Sequence, residues 1–147
     1  MVNKHCFLST GAERLVRHLL DHNIPVALAT GSMTSDYKTK TQNHKKFFSL
    51  FKIITLGDDP AVKHGKPDPD VFLVTAKKFD DKPDTSKVLV FEDSPNGVKA
   101  GKSAGMGVVM VPDDRLDSTY YNNADLVIKS LVDFKPQEWG FPPFDQS

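Results

Sequence analysis

Three short segments of this 147-residue sequence carry side chains suited to handling an anion and a metal cation. Thr30-Gly31-Ser32 directly follows the apolar run Ile24–Ala29. A hydroxyl beside exposed backbone N–H groups at a strand's carboxyl end can hold a phosphate oxygen. The same residues also suit an ordinary helix cap. Lys66 lies in Gly65-Lys66-Pro67-Asp68-Pro69-Asp70, where two prolines restrict the backbone and Gly65 permits close approach. A lysine held this way can be a fixed positive charge beside phosphate; the alternative is a solvated surface lysine. Glu92-Asp93 ends the apolar run Val88–Phe91. Adjacent carboxylates at a buried strand end repel each other, and a cation relieves the repulsion. Mg²⁺ suits that position, because it takes one or two carboxylates together with phosphate and water. The alternative is acidic charge complementing the N-terminus of a helix that opens at Ser94-Pro95. Asp58-Asp59 and Asp113-Asp114 also follow strands, but they sit among turn formers and read as turn chemistry. The five histidines show no metal-ligand spacing, and His18 and His22 read as a solvated helix face.

The hydropathy pattern that must position these segments alternates strands with helices, an α/β arrangement. Strands are expected over Ile24–Ala29, Lys52–Leu56, Val88–Phe91 and Val108–Val111, with a short edge strand over Asp125–Ile128. Continuous apolar runs fit a Rossmann-like parallel sheet covered by helices on both faces. Thr10-Gly11-Ala12-Glu13 reads as a capping box that opens a helix with Leu15, Val16, Leu19 and Leu20 on one face, ended by Asn23. Asp68 is expected to cap a helix with Pro69 at its first position, running to about Phe79. Ser94-Pro95 opens another helix and Ala104-Gly105 closes it. Residues 1–135 thus form one core, and 136–147, with Trp139, Phe141 and Phe144 among prolines, an irregular docked tail. Ligands of open parallel sheets bind beyond the strands' carboxyl ends, which is where Thr30 and Glu92-Asp93 fall.

Composition narrows the partners. Lys and Arg total 19 against 19 Asp and Glu, so no basic excess marks a nucleic-acid partner. No apolar run approaches the ~18 residues of a membrane span. The first ten residues lack the apolar stretch of a signal peptide, and the single Cys6 fits a reducing, cytoplasmic compartment. No pattern specifies an oligomeric state.

Taken together, the motifs resemble the haloacid-dehalogenase-like phosphatase family. Thr30 after Ile24–Ala29 is similar to that family's second motif, Lys66 in His64–Asp70 to its third, and Phe91–Gly97 with Ala104-Gly105-Met106 to its fourth. The stretches around Lys66 and Glu92 are most similar to the pseudouridine-5′-phosphatase-like branch. The resemblance implies Mg²⁺-dependent hydrolysis of a small phosphorylated metabolite through an aspartyl-phosphate, the substrate being pseudouridine 5′-phosphate or a sugar or polyol phosphate. It implies that Thr30 binds the phosphoryl group with the N–H groups of Gly31 and Ser32, and that Lys66 neutralises charge. It further implies that Asp93 ligates Mg²⁺ with Glu92 beside it, and that Ser94 and Asn96 brace the loop.

The family's first motif, Asp-x-Asp after an N-terminal strand, has no match upstream of Thr30, where the sole aspartate is Asp21. The expectation is therefore the C-terminal part of such a phosphatase, inactive alone, with a non-catalytic phosphate- or partner-binding module as the alternative. A receiver domain is disfavoured, because its acidic pair precedes the threonine and lysine. Without the nucleophile strand, the strands ending at Thr30 and Glu92 should face a gap. Water, direct pairing of those strands or a stand-in strand from His5–Ser9 would reduce the loss of backbone hydrogen bonds.

Overall fold

The computed structural model describes residues 10–121 and 123–145. His5–Ser9 and Cys6 lie outside them. Among the described residues five strands and five α-helices follow in the order α1 (Ala12–Asp21), β1 (Ala27–Ala29), α2 (Thr34–Thr41), α3 (Lys45–Phe48), β2 (Ile53–Thr55), α4 (Asp70–Lys78), β3 (Leu89–Glu92), α5 (Pro95–Ser103), β4 (Gly107–Met110) and β5 (Leu126–Val127), with short 3-10 turns between and after them. Each predicted strand is present: β1, β2 and β5 are shorter than their apolar runs, because the ladder hydrogen bonds end before the runs do, while β3 and β4 keep the expected length with bounds displaced by one residue. All pairings are parallel: Ala27 with Ile53, Leu89 with Gly107, and Val109 with Leu126 mark the registers. The strands form two sheets, β1-β2 and β3-β4-β5, and among the described residues no strand joins them. An apolar slot of about 280 Å³ lies between the two, lined by Leu28 and Ala29 of β1, Val90 and Phe91 of β3, and Phe72 and Leu131. Among the described residues the expected gap is therefore present, and direct pairing of β1 with β3 does not close it.

Alternation along the strands divides the core between two faces. Val109 and Val111 pack with Leu15 and Leu19 of α1, Leu28, Phe47, Phe48 and Phe134. Val108 and Met110 pack on the other face with Val71, Phe72 and Ala76 of α4 and Val98 and Ala100 of α5. Val108, Val109 and Met110 are fully buried, so β4 is covered on both sides as its unbroken apolar run implied. No helix among the described residues is long and apolar enough to cross a membrane.

Several local expectations need correction. Thr10 does not cap α1. Gly11 occupies the N-cap position at φ +88°, and no side chain caps the helix. A Cβ at Gly11 would lie 2.9 Å from the backbone nitrogen of Val132, so the chain needs a residue without one at that approach. Asp68 does not cap α4 either; Pro69 holds the N-cap position without a side-chain bond. Asp70 takes over locally, its Oδ2 accepting the N–H groups of Lys63 at 3.0 Å and His64 at 2.9 Å. His18 is buried rather than solvated. Its Nε2 lies 2.8 Å from the Pro142 carbonyl oxygen, and its ring centroid is 4.7 Å from that of Phe144.

Candidate active site

The polar end of the slot is a separate cavity of about 150 Å³ beyond the carboxyl ends of β1 and β3. Thr30, Ser32, Lys66, Glu92, Asp93 and Ser94 all line it. The side chains read from three separate stretches of sequence thus converge on one space large enough for a phosphoryl group. Gly31 stands between Thr30 and Ser32 in the same loop, and Asn96 is exposed on the first turn of α5.

Thr30 is positioned by the β1-β2 ladder, its N–H donating to the Thr55 carbonyl at 3.0 Å. Its Oγ1 accepts the Ser32 N–H at 3.1 Å, which turns the chain sharply out of β1. The Gly57 N–H donates to the Ser32 carbonyl at 2.8 Å and ties this loop to the one after β2. In that second loop Asp58 accepts both the N–H and the hydroxyl of Thr34, at 3.1 and 2.7 Å, and thereby caps α2. Asp59 accepts from the Ala61 N–H and from Lys78 Nζ, each at 2.9 Å. The turn reading therefore holds for Asp59, whereas Asp58 serves a contact across to α2.

Lys66 arrives on the loop before α4. Its ammonium donates to Glu92 Oε1 and sits 4.9 Å from the centre of the Phe72 ring. Glu92 is itself buried, and its Oε2 accepts the Asp93 N–H at 3.2 Å. Asp93 lies beside it, and among the described residues no lysine is paired with it. Burial pushes the Asp93 carboxyl above its ordinary value, the Glu92 charge adds to the rise, and Lys66 opposes it. Ser94 caps α5, its Oγ accepting the Gly97 N–H at 3.1 Å, so the helix starts directly behind the two carboxylates.

The donor set fits a hard cation in part. Asp93 offers carboxylate oxygen in a half-buried place where positive charge would relieve repulsion, while Glu92 is committed to Lys66. Among the described residues no group of three or more His, Cys, Asp or Glu is placed to enclose a metal ion. The cavity's carboxylates are Glu92 and Asp93, so the described residues bring no further acid to act as nucleophile. Sequence reasoning missed three polar residues that also line the space, Tyr37, Lys40 and Thr41. All three lie on α2, a helix polar nearly all round, whose pattern gives no sign of which side faces the cavity.

A family model for haloacid dehalogenase-like hydrolases matches residues 2–105. The chain belongs to that family. Its haloacid dehalogenase-like sequence is 57% identical over 141 residues to (DL)-glycerol-3-phosphatase 2 of Arabidopsis thaliana, covering 95% of this chain and 59% of the relative. It is 51% identical over 138 residues to a Drosophila melanogaster protein named "Probable pseudouridine-5'-phosphatase", covering 93% and 60%. A solved haloacid dehalogenase hydrolase of family IA, variant 3, from Entamoeba histolytica superposes with TM-score 0.75 at 27% identity, over 90% of this chain and 59% of that one. The chain thus spans about three fifths of the length of these relatives. The α/β parallel architecture is the one these haloacid dehalogenase-like neighbours share.

Proposed function

We propose that the cavity is the phosphate- and Mg²⁺-handling part of a phosphomonoester hydrolase site, for a small polyol, sugar or nucleoside phosphate. The observation that carries the reading is the convergence of Thr30, Lys66 and Asp93 on one cavity of phosphoryl size. The names of the relatives, "(DL)-glycerol-3-phosphatase 2" and "Probable pseudouridine-5'-phosphatase", support the substrate class. Thr30 and the N–H of Gly31 would bind phosphoryl oxygens. The Ser32 N–H is already donated to Thr30, so its share falls to the Ser32 hydroxyl. Lys66, held by Glu92, would offset charge. Asp93 would hold Mg²⁺, which when bound supplies charge neutralisation at the phosphoryl group. Ser94 fixes the loop that presents Asp93, and Asn96 is assigned the supporting role beside it. A cytoplasmic setting goes with the single cysteine.

Turnover needs a carboxylate nucleophile, and neither acid in the cavity is free to serve: Glu92 holds the lysine and Asp93 is assigned the metal. This 147-residue chain by itself therefore binds phosphate without hydrolysing esters. The same observation favours a second reading, a non-catalytic phosphate-binding module. Titration calorimetry of the chain with inorganic phosphate, with and without Mg²⁺, tests the site. Binding strengthened by Mg²⁺ in the wild type and not in Asp93→Asn is expected, and a flat titration sinks the phosphate reading. An assay with sugar, polyol and nucleoside monophosphates tests inactivity; turnover abolished by Asp93→Asn would overturn it.

A further inference from the structure

We propose that Lys40, rather than Lys66, supplies the uncompensated positive charge that draws a phosphate dianion into the cavity. The inference rests on the phosphate reading above and assigns the cation within it. Among the described residues four charged side chains line the space: Lys40, Lys66, Glu92 and Asp93. Lys66 is already paired, its ammonium against Glu92 and over the Phe72 ring. Asp93 adds a second carboxylate. Lys40 donates to the neutral hydroxyl of Ser32 at 3.1 Å, and among the described residues no carboxylate lies within salt-bridge distance of it.

With these four side chains ionised and no cation bound, their charges sum to zero; without Lys40 they sum to minus one, which opposes entry of a phosphate dianion. The backbone explains how a residue near the end of α2 reaches the loop before that helix. Cα–Cβ bonds tilt toward a helix N-terminus, so the Lys40 stem runs back along α2 and sets its ammonium beside Ser32. Lys38, on the same helix, is exposed and does not line the cavity. A lysine is a compact point charge with rotatable donors, so Lys40 can leave Ser32 for a phosphate oxygen without moving the backbone.

Phosphate titration of the full chain separates charge from mere positioning. Lys40→Met keeps the apolar stem, Lys40→Gln keeps a donor for Ser32, and Lys40→Arg keeps the charge. Met and Gln are expected to weaken inorganic phosphate binding at least tenfold, and Arg to stay within about threefold, with unfolding midpoints in phosphate-free buffer unchanged. In the unmutated chain, phosphate should shift the Lys40 side-chain ammonium resonance. A Gln variant that binds like the wild type, or an ammonium resonance indifferent to phosphate, overturns the assignment. Loss in Lys66→Met with none in Lys40→Met also overturns it, while leaving the phosphate site standing. No binding by the wild type overturns the site itself.

Discussion

A Cβ on Gly97 would lie 2.1 Å from the carboxyl carbon of Glu92, so the first turn of α5 and the Lys66–Glu92 pair share one space. In a free helix Gly→Ala is favourable by ~1 kcal/mol. Here the added methyl must drive Glu92 off its lysine, and overpacking of this kind costs about 1–3 kcal/mol. Gly97→Ala is therefore expected to lower stability on urea unfolding and to weaken phosphate binding together. Loss of stability alone would show that Lys66 holds its place without Glu92. Asp93 gives the opposite sign. Its folded-state carboxyl is raised above 3.8, so the fold favours the protonated acid, and stability is lost as pH rises from that ordinary value through the raised one. Asp93→Asn imitates the protonated form. It should match the wild type near pH 3 and exceed it in thermal midpoint at pH 7, and Mg²⁺ should raise the wild-type midpoint while leaving the variant unmoved. Equal midpoints at both pH values would mean that Asp93 carries no repulsion. Thr55 is a third case: its Oγ1 is buried with no hydrogen-bond partner among the described residues. Thr55→Val should stabilise by ~1 kcal/mol, since it removes an unsatisfied group at nearly constant shape.

Among the elements, those fixed by local chemistry were legible. Ser94-Pro95 gives a capped α5 because cap and proline act within one turn, and Gly105 at φ +79° closes it as the sequence implies. Asn23 at φ 60° likewise ends α1. The failures share a cause: a partner far along the chain. Gly11 displaces Thr10 as the cap because Val132 crowds the helix start, and His18 is buried because Pro142 and Phe144 return to cover it. Nothing within α1 announces either contact. The tail's docking is itself testable. Arg14 stacks over the Phe144 ring at 3.8 Å, and Trp139 faces Phe134 with centroids 6.5 Å apart and rings inclined by 27°, so α1 and the tail form one packed unit. His18→Ala removes the ring and its bond to Pro142, at an expected cost of ~1–3 kcal/mol. Trp139 is the protein's single tryptophan, so its emission reports on this unit alone. A red shift with faster cleavage near Gly140 is expected in His18→Ala; unchanged emission and cleavage would mean that the aromatic contacts hold the tail without the histidine.

For the molecule as a whole, the convergence of Thr30, Lys66 and Asp93 follows from motifs placed in the segments after strands, because a parallel α/β fold gathers the strands' carboxyl ends at one edge. Lys40 was not legible, since its place depends on how α2 lies over the cavity rather than on any local pattern. The division into two sheets has a dynamic consequence. β4 is sealed between α1 and Phe134 on one face and α4 and α5 on the other, whereas β1-β2 meets the second sheet across an apolar slot. Helix α4 touches β1, β2 and α5, so among the described residues packing rather than a hydrogen-bonded ladder connects the halves. Units joined only by side-chain packing open below the global free energy. Native-state hydrogen exchange should therefore show the amides of Gly107 and Val111, bonded to Val88 and Glu92, exchanging only by global unfolding. The Thr30 amide, bonded to Thr55 in the smaller sheet, should exchange earlier through a partial opening. Phosphate with Mg²⁺ would touch Thr30 in one sheet and Asp93 at the end of the other, so its binding energy opposes separation of the two. Added ligand should slow Thr30 exchange until it approaches that of Val111. Equal protection at both amides without ligand would mean that the slot does not divide the fold, because a single cooperative unit has no partial opening for the ligand to suppress.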